Sequence, residues 1–146
     1  MKKQKSIQKI ALVLSLVMCF TVLLCSCKDD GKTAGTPTDV YTANAEMGEG
    51  AKTLTVKVTD DEAKEIVFTI HTDAETVGDA LLENNLIAGD DSEYGLYVKY
   101  VNGVYADYDT NKTYWAFYQN GEYMMTGVDA TTFESGASYE LVYTKE

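Results

Sequence analysis

The sequence predicts an α+β fold: a small, mostly antiparallel β domain with one covering helix, of the grasp-like kind. Three observations predict it. Two runs of alternating apolar and polar residues flank a polar turn, a short amphipathic helix follows them, and several β-prone runs separated by Asn-Gly turns complete the chain. A signal peptide and a flexible tether are expected to precede this domain.

The first 27 residues have the layout of a bacterial signal peptide. Four lysines precede an apolar run over residues 10–24, which is shorter than the roughly 20 residues that a membrane-spanning helix needs. The run ends in Leu24-Cys25-Ser26-Cys27, which resembles the lipobox of bacterial lipoproteins. We therefore expect residues 1–26 to be a lipoprotein signal peptide and Cys27 to carry a lipid. An ordinary signal peptide cut nearby, or an uncleaved anchor, is the alternative.

Charge and cysteine content narrow the class of protein. The chain has 12 lysines, no arginine and 23 acidic residues, a net charge of −11. Four lysines lie in the predicted leader, so the mature part has eight against 23 acidic residues, a net charge of −15. Such a surface repels phosphate backbones, so no nucleic-acid partner is expected. Two of the three cysteines leave with the leader and Cys27 takes the lipid, so the mature body has no disulfide.

The segment after the lipidation site reads as a tether. Residues 27–51 are rich in Gly, Thr, Ala, Asp and Lys, contain the only proline, and show no apolar periodicity. Chains of this composition bury too little apolar surface to offset the entropy of ordering. The protein is thus expected to be extracytoplasmic, anchored to the bacterial cell membrane by its lipid, with residues 52–146 as its one folded domain.

The first half of that domain predicts a hairpin followed by a helix. Two strands flank a polar turn at residues 60–64, and their apolar positions alternate: Leu54, Val56 and Val58, then Ile66, Phe68 and Ile70. Thr76 is expected to cap a helix over residues 76–85, with Asp79 completing a short capping box. The helix has a narrow apolar face that could lie across the hairpin.

The second half predicts strands and turns. Residues 89–93 read as a charged loop, 94–101 as a strand, 114–118 as a strongly β-prone run, and 138–144 as the last strand. Asn102-Gly103 is a turn signal, and Asn120-Gly121 is the clearest hairpin signal of the chain because both positions tolerate positive φ.

Several of these segments together resemble one family. In order along the chain they are Thr76–Leu81, Tyr100–Gly103, Tyr114–Phe117 with Asn120-Gly121, and Phe133 with Gly136–Leu141. The ordered set is similar to the transcobalamin-like C-terminal domain family, a small β-rich module of bacterial surface proteins and of animal cobalamin carriers. The resemblance covers about residues 52–146, nearly all of the predicted domain.

The resemblance implies a corrinoid, such as cobalamin, as a possible ligand. In the carriers, cobalamin lies between a large helical domain and this small domain, and the chain has no counterpart of the helical domain. At most half of such a site is therefore expected. A polar residue that follows Tyr-Trp in the carriers helps to hold the side groups of the corrin ring. Ala116 occupies this position here, which removes that contact.

The aromatic residues are an independent indication of a binding surface. Ten of the eleven tyrosines lie between Tyr94 and Tyr143, together with Trp115, and such side chains offer large contact faces with a polar handle. Small sheets also use tyrosine on both faces, and Trp115 could equally belong to the core. The candidate ligand-binding residues are Tyr105, Tyr114, Trp115, Phe117 and Tyr123.

Two functions therefore stay open. The first is a tethered module that captures a corrinoid or a similar flat cofactor. In this case the five candidate residues should surround a shared cleft. The second is a structural or interaction module that recruits another surface protein or a glycan, for which the aromatic residues should spread over a flat face or an edge.

Metal binding and catalysis have weaker support. His71 could ligate cobalt but is more simply a surface or turn residue. Residues 107–111 have the D-x-D-x-N spacing of a calcium loop, yet Lys112 and Tyr118 stand where an EF-hand needs Gly and Glu. A solvated turn explains them better, and the acidic residues at 90–93 match the pattern less well. No nucleophile–base set is visible, so we expect a non-enzymatic protein without a metal site.

Overall fold

Residues 38–146 are the part of the chain that the computed structural model describes. The predicted leader, Cys27 and the beginning of the predicted tether lie outside them. The described part is β-rich, with two sheets and short helices. Its strands are β1 Ala45–Gly48, β2 Lys52–Thr59, β3 Glu65–Thr72, β4 Ile87–Ser92, β5 Gly95–Val101, β6 Val104–Tyr105, β7 Thr113–Gln119, β8 Glu122–Tyr123 and β9 Ala137–Lys145. Its helices are α1 Val77–Glu83, α2 Tyr108–Asn111 and a 3-10 turn, Val128–Ala130.

The predicted first hairpin is confirmed. Strands β2 and β3 pair antiparallel, with Val56 opposite Phe68 and Leu54 opposite Ile70. Alternate side chains of both strands are fully buried while their neighbours are half-buried, which is the pattern that period-two alternation produces on a sheet with one core face. This hairpin forms one half of the larger sheet.

The larger sheet has six strands in the order β1-β3-β2-β9-β7-β8. Its last strand in sequence, β9, lies at the centre, parallel to β2 and antiparallel to β7. The first strand, β1, is parallel to β3 at the edge. The fold is mostly antiparallel as predicted, but these two parallel pairs were not predictable because they join segments far apart in sequence.

The smaller sheet contains a strand that the sequence reading missed. Strand β4 covers most of the segment expected to be a charged loop, so that expectation was wrong. Backbone pairing with β5 holds it despite its polar side chains. A β-bulge interrupts the pairing at Ala88/Gly89, and a Cβ on Gly89 would lie 2.0 Å from the carbonyl oxygen of Tyr97. Only glycine therefore allows this close approach.

The predicted helix is present, with the predicted cap. The Thr76 hydroxyl accepts from the backbone N–H of Asp79 at 3.1 Å and donates to the Asp79 carboxylate at 2.8 Å. A helix leaves its first four backbone N–H groups without an intrahelical partner, and this cap satisfies one of them. Val77, Ala80 and Leu81 are fully buried in the same core as the hairpin.

The folded domain begins earlier than residue 52. The predicted tether runs to residue 51, but its last part contains β1 and packs on the domain. The ring of Tyr41 meets that of Phe68 edge-on at 5.5 Å. The Thr38 hydroxyl accepts from the Gly103 N–H at 2.5 Å. Residues 38–51 are thus polar in composition yet fixed by tertiary contacts.

Candidate functional site

Strands β5, β7 and β8 and the segment that follows β8 enclose a cleft of about 260 Å³, hereafter the aromatic cleft. It lies between β5 of the small sheet and the β7–β8 hairpin of the large sheet. Thirteen residues line it: Leu96, Tyr97, Val98, Tyr114, Trp115, Phe117, Tyr123, Met124, Met125, Thr126, Gly127, Val128 and Leu141.

The hairpin β7–β8 places one wall of the cleft. Its two-residue turn has Asn120 at φ 53° and Gly121 at φ 79°, which is the type I′ geometry that suits the twist of paired strands. The turn brings Tyr123 opposite Tyr118, and the two rings meet edge-on at 5.5 Å. The Asn-Gly turn therefore fixes the position of Tyr123 opposite Tyr118.

The floor of the cleft is buried and the rim is open. Trp115 and Phe117 are only 8% and 7% exposed, whereas Tyr123 is 54% and Met125 90% exposed. The Trp115 ring packs edge-on against Tyr143 at 5.7 Å, and these contacts fix the floor. Within residues 38–146 the indole N–H of Trp115 has no hydrogen-bond partner. Large side chains are thus accessible at the rim of a buried aromatic floor.

The cleft is electrically neutral although the protein is strongly acidic. None of its lining residues carries a formal charge. Burial raises the pKa of the Tyr114 hydroxyl, and the neighbouring Tyr123 raises it further, so Tyr114 is neutral at physiological pH. Such a lining can offer dispersion contacts, ring stacking and a few hydroxyl hydrogen bonds. Its lining contains no His, Cys, Lys, Asp or Glu.

The structure brings four of the five predicted site residues together: Tyr114, Trp115, Phe117 and Tyr123. Tyr105 is elsewhere. Its ring packs on Tyr100 at 4.9 Å, and its hydroxyl donates to the Asp107 carboxylate at 2.7 Å. The prediction that all five share a cleft is therefore wrong for Tyr105, which stands on β6 in the smaller sheet.

Sequence reasoning missed the opposite wall of the cleft. Leu96, Tyr97 and Val98 come from β5, and the residues from Thr126 to Val128 close one end. No local pattern marks them, because they reach the cleft only through the packing of one sheet beside the other. Met124 and Met125, which follow β8, also line the cleft.

His71 has a structural explanation. Its Nε2 lies 2.6 Å from a carboxylate oxygen of Glu46 on β1, and its Nδ1 lies 3.4 Å from the Thr53 hydroxyl on β2. Both ring nitrogens thus have partners on neighbouring strands. The residue lies outside the set that lines the aromatic cleft.

The predicted solvated turn at residues 107–111 is instead a capped helix. Asp107 caps α2 by accepting from the Asp109 N–H at 3.0 Å. Its other oxygen accepts from Tyr105 and lies 3.0 Å from the Lys99 ammonium. Both oxygens of this carboxylate thus have partners within the domain. Residues 38–146 contain no cluster of three or more potential metal ligands of the His, Cys, Asp or Glu type.

Helices of membrane-spanning length and hydropathy are absent from residues 38–146. Helix α1 is capped by Thr76 and packs on the core, and helix α2 is capped by Asp107.

Comparison with known proteins defines the class of protein. Residues 74–145 match the model of the domain of unknown function DUF4430. The crystal structure of a "putative metal binding protein" from Ruminococcus gnavus is 33% identical, with a TM-score of 0.62. The match covers 66% of this chain and 99% of that one. The chain therefore belongs to the same family as the Ruminococcus gnavus protein.

A second solved structure is more distant. Haptocorrin in complex with Cbi is 20% identical, with a TM-score of 0.47, and the match covers 64% of this chain and 25% of haptocorrin. A likeness of this size supports no conclusion about a ligand. No curated protein matches the chain.

Proposed function

We propose that this chain is a membrane-tethered, extracytoplasmic lipoprotein whose folded domain is a non-enzymatic binding module. The observation that carries the proposal is the aromatic cleft, an uncharged concave site in a strongly acidic protein. Concave sites lined by aromatic side chains with a few polar groups are the usual form of small-molecule sites. The Ruminococcus gnavus relative is described as a putative metal binding protein, and that description applies to the relative and not to this chain.

The cleft favours a flat ligand that is held by one face. Its volume of about 260 Å³ lies just below the roughly 300–1,000 Å³ of sites that enclose a drug-sized molecule. A larger planar ligand would rest one face or edge on the floor and leave the other exposed. This geometry is compatible with the half-site that the resemblance to cobalamin carriers implies. We therefore propose a corrinoid as the first ligand to test.

An interaction module is the second candidate. Tyr123 and Met125 project from the rim of the cleft and are largely exposed. Exposed tyrosine and methionine are enriched at the centres of protein interfaces. A surface protein or a glycan could thus occupy the same aromatic cleft.

The tether is part of the proposal. Between the proposed lipid on Cys27 and the first described residue lie ten residues, 28–37, which at about 3.5 Å each reach at most about 35 Å. The domain would then stand close to the membrane, which suits transfer of a captured ligand to a membrane-bound uptake system.

Labelling with a radioactive fatty acid in the native host tests whether Cys27 carries the lipid. We expect label on the wild-type protein and none on Cys27→Ala; label retained by Cys27→Ala would refute lipidation there.

The ligand is tested by calorimetric titration of the soluble chain Lys28–Glu146 with cyanocobalamin and with dicyanocobinamide. Trp115 is the only indole, so its fluorescence, corrected for corrinoid absorption, reports on the floor of the cleft. We expect saturable heat and quenching that weaken at least about tenfold in Tyr123→Ala, because that ring forms the accessible wall.

The matched control is Tyr94→Ala. Tyr94 is 90% exposed and lies outside the aromatic cleft, so its loss should leave corrinoid binding unchanged. Heat indistinguishable from dilution for both corrinoids would refute the corrinoid proposal. Binding that persists in Tyr123→Ala would place the corrinoid outside the cleft.

A further inference from the structure

We propose a second binding site in this protein, a groove for a quaternary-ammonium or methylated-amine group. The groove lies between the β4–β5 hairpin and α2 and is open to solvent, with a volume of about 490 Å³. Its walls include three tyrosines and two carboxylates: Tyr94, Tyr97, Tyr108, Asp90 and Asp109. We call it the tyrosine groove. It shares Leu96 and Tyr97 with the aromatic cleft but has a different chemistry.

The rings of the groove are suited to cations. The face of an aromatic ring carries partial negative charge and attracts a cation within about 6 Å of the ring centre. Two of the rings already have a lysine ammonium of the same chain within this distance. The Lys112 ammonium lies 4.4 Å from the centre of Tyr108, and the Lys99 ammonium lies 5.5 Å from that of Tyr97. Neither lysine lines the groove.

The groove is built before any ligand arrives. The Tyr97 hydroxyl accepts from the backbone N–H of Tyr108 at 3.0 Å, which joins β5 to the start of α2. In the β4–β5 turn, the Ser92 hydroxyl accepts from the Tyr94 N–H at 3.2 Å and donates to the Gly95 carbonyl at 2.7 Å. The backbone that carries Tyr94 is thus fixed, while its ring is 90% exposed and available for contact.

Charge in the groove also favours a cation. The Asp90 carboxylate lies 2.7 Å from the Lys99 ammonium, which it shares with Asp107, whereas Asp109 takes part in no ion pair among the described residues. One carboxylate therefore remains uncompensated beside the tyrosines. No group of three or more His, Cys, Asp or Glu side chains that could hold a metal ion occurs in residues 38–146, and the groove itself has two carboxylates.

Methylated ammonium fits better than a free amine. A primary ammonium is strongly hydrated and needs hydrogen-bond acceptors around it. A trimethylammonium group spreads its charge over methyl groups that contact ring faces directly, which is how aromatic cages recognise choline and methylated lysine. The groove offers three tyrosines, and one carboxylate outside any ion pair of the described residues, for contacts of this kind.

The test compares choline with its neutral isostere, 3,3-dimethyl-1-butanol, by NMR titration of the chain Lys28–Glu146 at constant ionic strength. This chain contains every residue that the structure describes. We expect saturable shifts of the amide resonances of Tyr94 and Gly95 with choline. The isostere should bind at least about fivefold more weakly, because it lacks the charge on which cation–π attraction depends.

Two variants locate the site. Tyr94→Ala removes an exposed ring without touching the core and should weaken choline binding at least about fivefold. Asp109→Asn should weaken it about threefold by removing the free charge. Tyr123→Ala, in the aromatic cleft, should leave it unchanged. Equal binding of choline and the isostere, unchanged binding in Tyr94→Ala, or no saturable shift with choline would overturn the proposal. None of these outcomes bears on corrinoid binding, which is tested with a different ligand and with the opposite effects expected of Tyr94→Ala and Tyr123→Ala.

Discussion

Asn102 fixes two parts of the domain with one residue. Its backbone takes φ 49° in the β5–β6 turn, where it is followed by Gly103 at φ 83°. Its side chain accepts from the Tyr41 N–H at 2.7 Å and donates to the Tyr41 carbonyl at 2.9 Å. The sequence predicts the turn, but it holds no sign of the bonds to a residue 61 positions away.

Asn102→Asp should destabilise the domain at pH 7. The new carboxylate still accepts from the Tyr41 N–H but faces the Tyr41 carbonyl with a second acceptor, so one hydrogen bond becomes a repulsion. Because the residue is buried, we expect the free energy of unfolding in urea to fall by about 2 kcal/mol. Asn120→Asp is the control, since Asn120 has φ 53° in an exposed turn. Equal losses in both variants would contradict this account of Asn102.

Lys99 should govern part of the acid sensitivity of the fold. The Tyr105 hydroxyl, and then the Lys99 ammonium, hold the pKa of the Asp107 carboxyl below its usual value. A carboxyl with a lowered folded-state pKa stabilises the fold above its unfolded pKa of about 3.9, and this stability is lost as the pH falls through the folded pKa.

In Lys99→Met the pKa of Asp107 should rise towards its unfolded value. The variant should therefore be less stable than wild type at pH 7 and should lose less further stability below about pH 4. Urea unfolding at pH 7, 5 and 3 measures this. Lys64→Met, an exposed lysine outside the ion pairs found in residues 38–146, is the control. An acid response of Lys99→Met identical to wild type would rule out this role.

At the scale of elements, strand β1 and the segment before it are integral to the domain. A chain that starts at Lys52 lacks the β1–β3 pairing and the contact of Tyr41 with Phe68. We expect its free energy of unfolding to be at least about 3 kcal/mol below that of a chain that starts at Thr38, from one large side chain and several hydrogen bonds. Calorimetric or urea unfolding of the two chains decides this. Equal stability would show that the segment is dispensable.

The N-cap of α1 is a smaller, local contribution. Thr76→Ala removes the acceptor for the Asp79 N–H and should lower the free energy of unfolding by about 1 kcal/mol. Thr42→Ala, at an exposed position outside the regular elements, should change it little. A difference between the two variants within experimental error would show that the cap is not stabilising.

These elements differ in how far the sequence predicts them. Strands β2 and β3, helix α1 and the β7–β8 hairpin follow from alternation, a cap and an Asn-Gly turn, which are local signals. Strands β1 and β4 contain few β-prone residues, and backbone pairing with the strands beside them is what makes them strands. Their pairing is therefore tertiary information that no short window of residues contains.

At the scale of the whole molecule, β9 organises the site. By pairing with both β2 and β7 it joins the first hairpin to the aromatic hairpin. The aromatic run of β7 could be recognised in the sequence as a candidate floor. The wall from β5 could not, because it depends on how the two sheets lie side by side. The result is two neighbouring cavities on either side of the shared residues Leu96 and Tyr97, one neutral and one acidic.

The central claim is that the aromatic cleft is the ligand site, and the single indole offers its most direct test. Trp115 gives one indole N–H resonance in a two-dimensional NMR spectrum, and this N–H lies in the floor without a partner among the described residues. On titration with dicyanocobinamide, that resonance should move saturably in the wild-type chain and much less in Tyr123→Ala. An indole resonance that stays fixed while calorimetry shows binding would contradict the claim, because the ligand would then bind elsewhere.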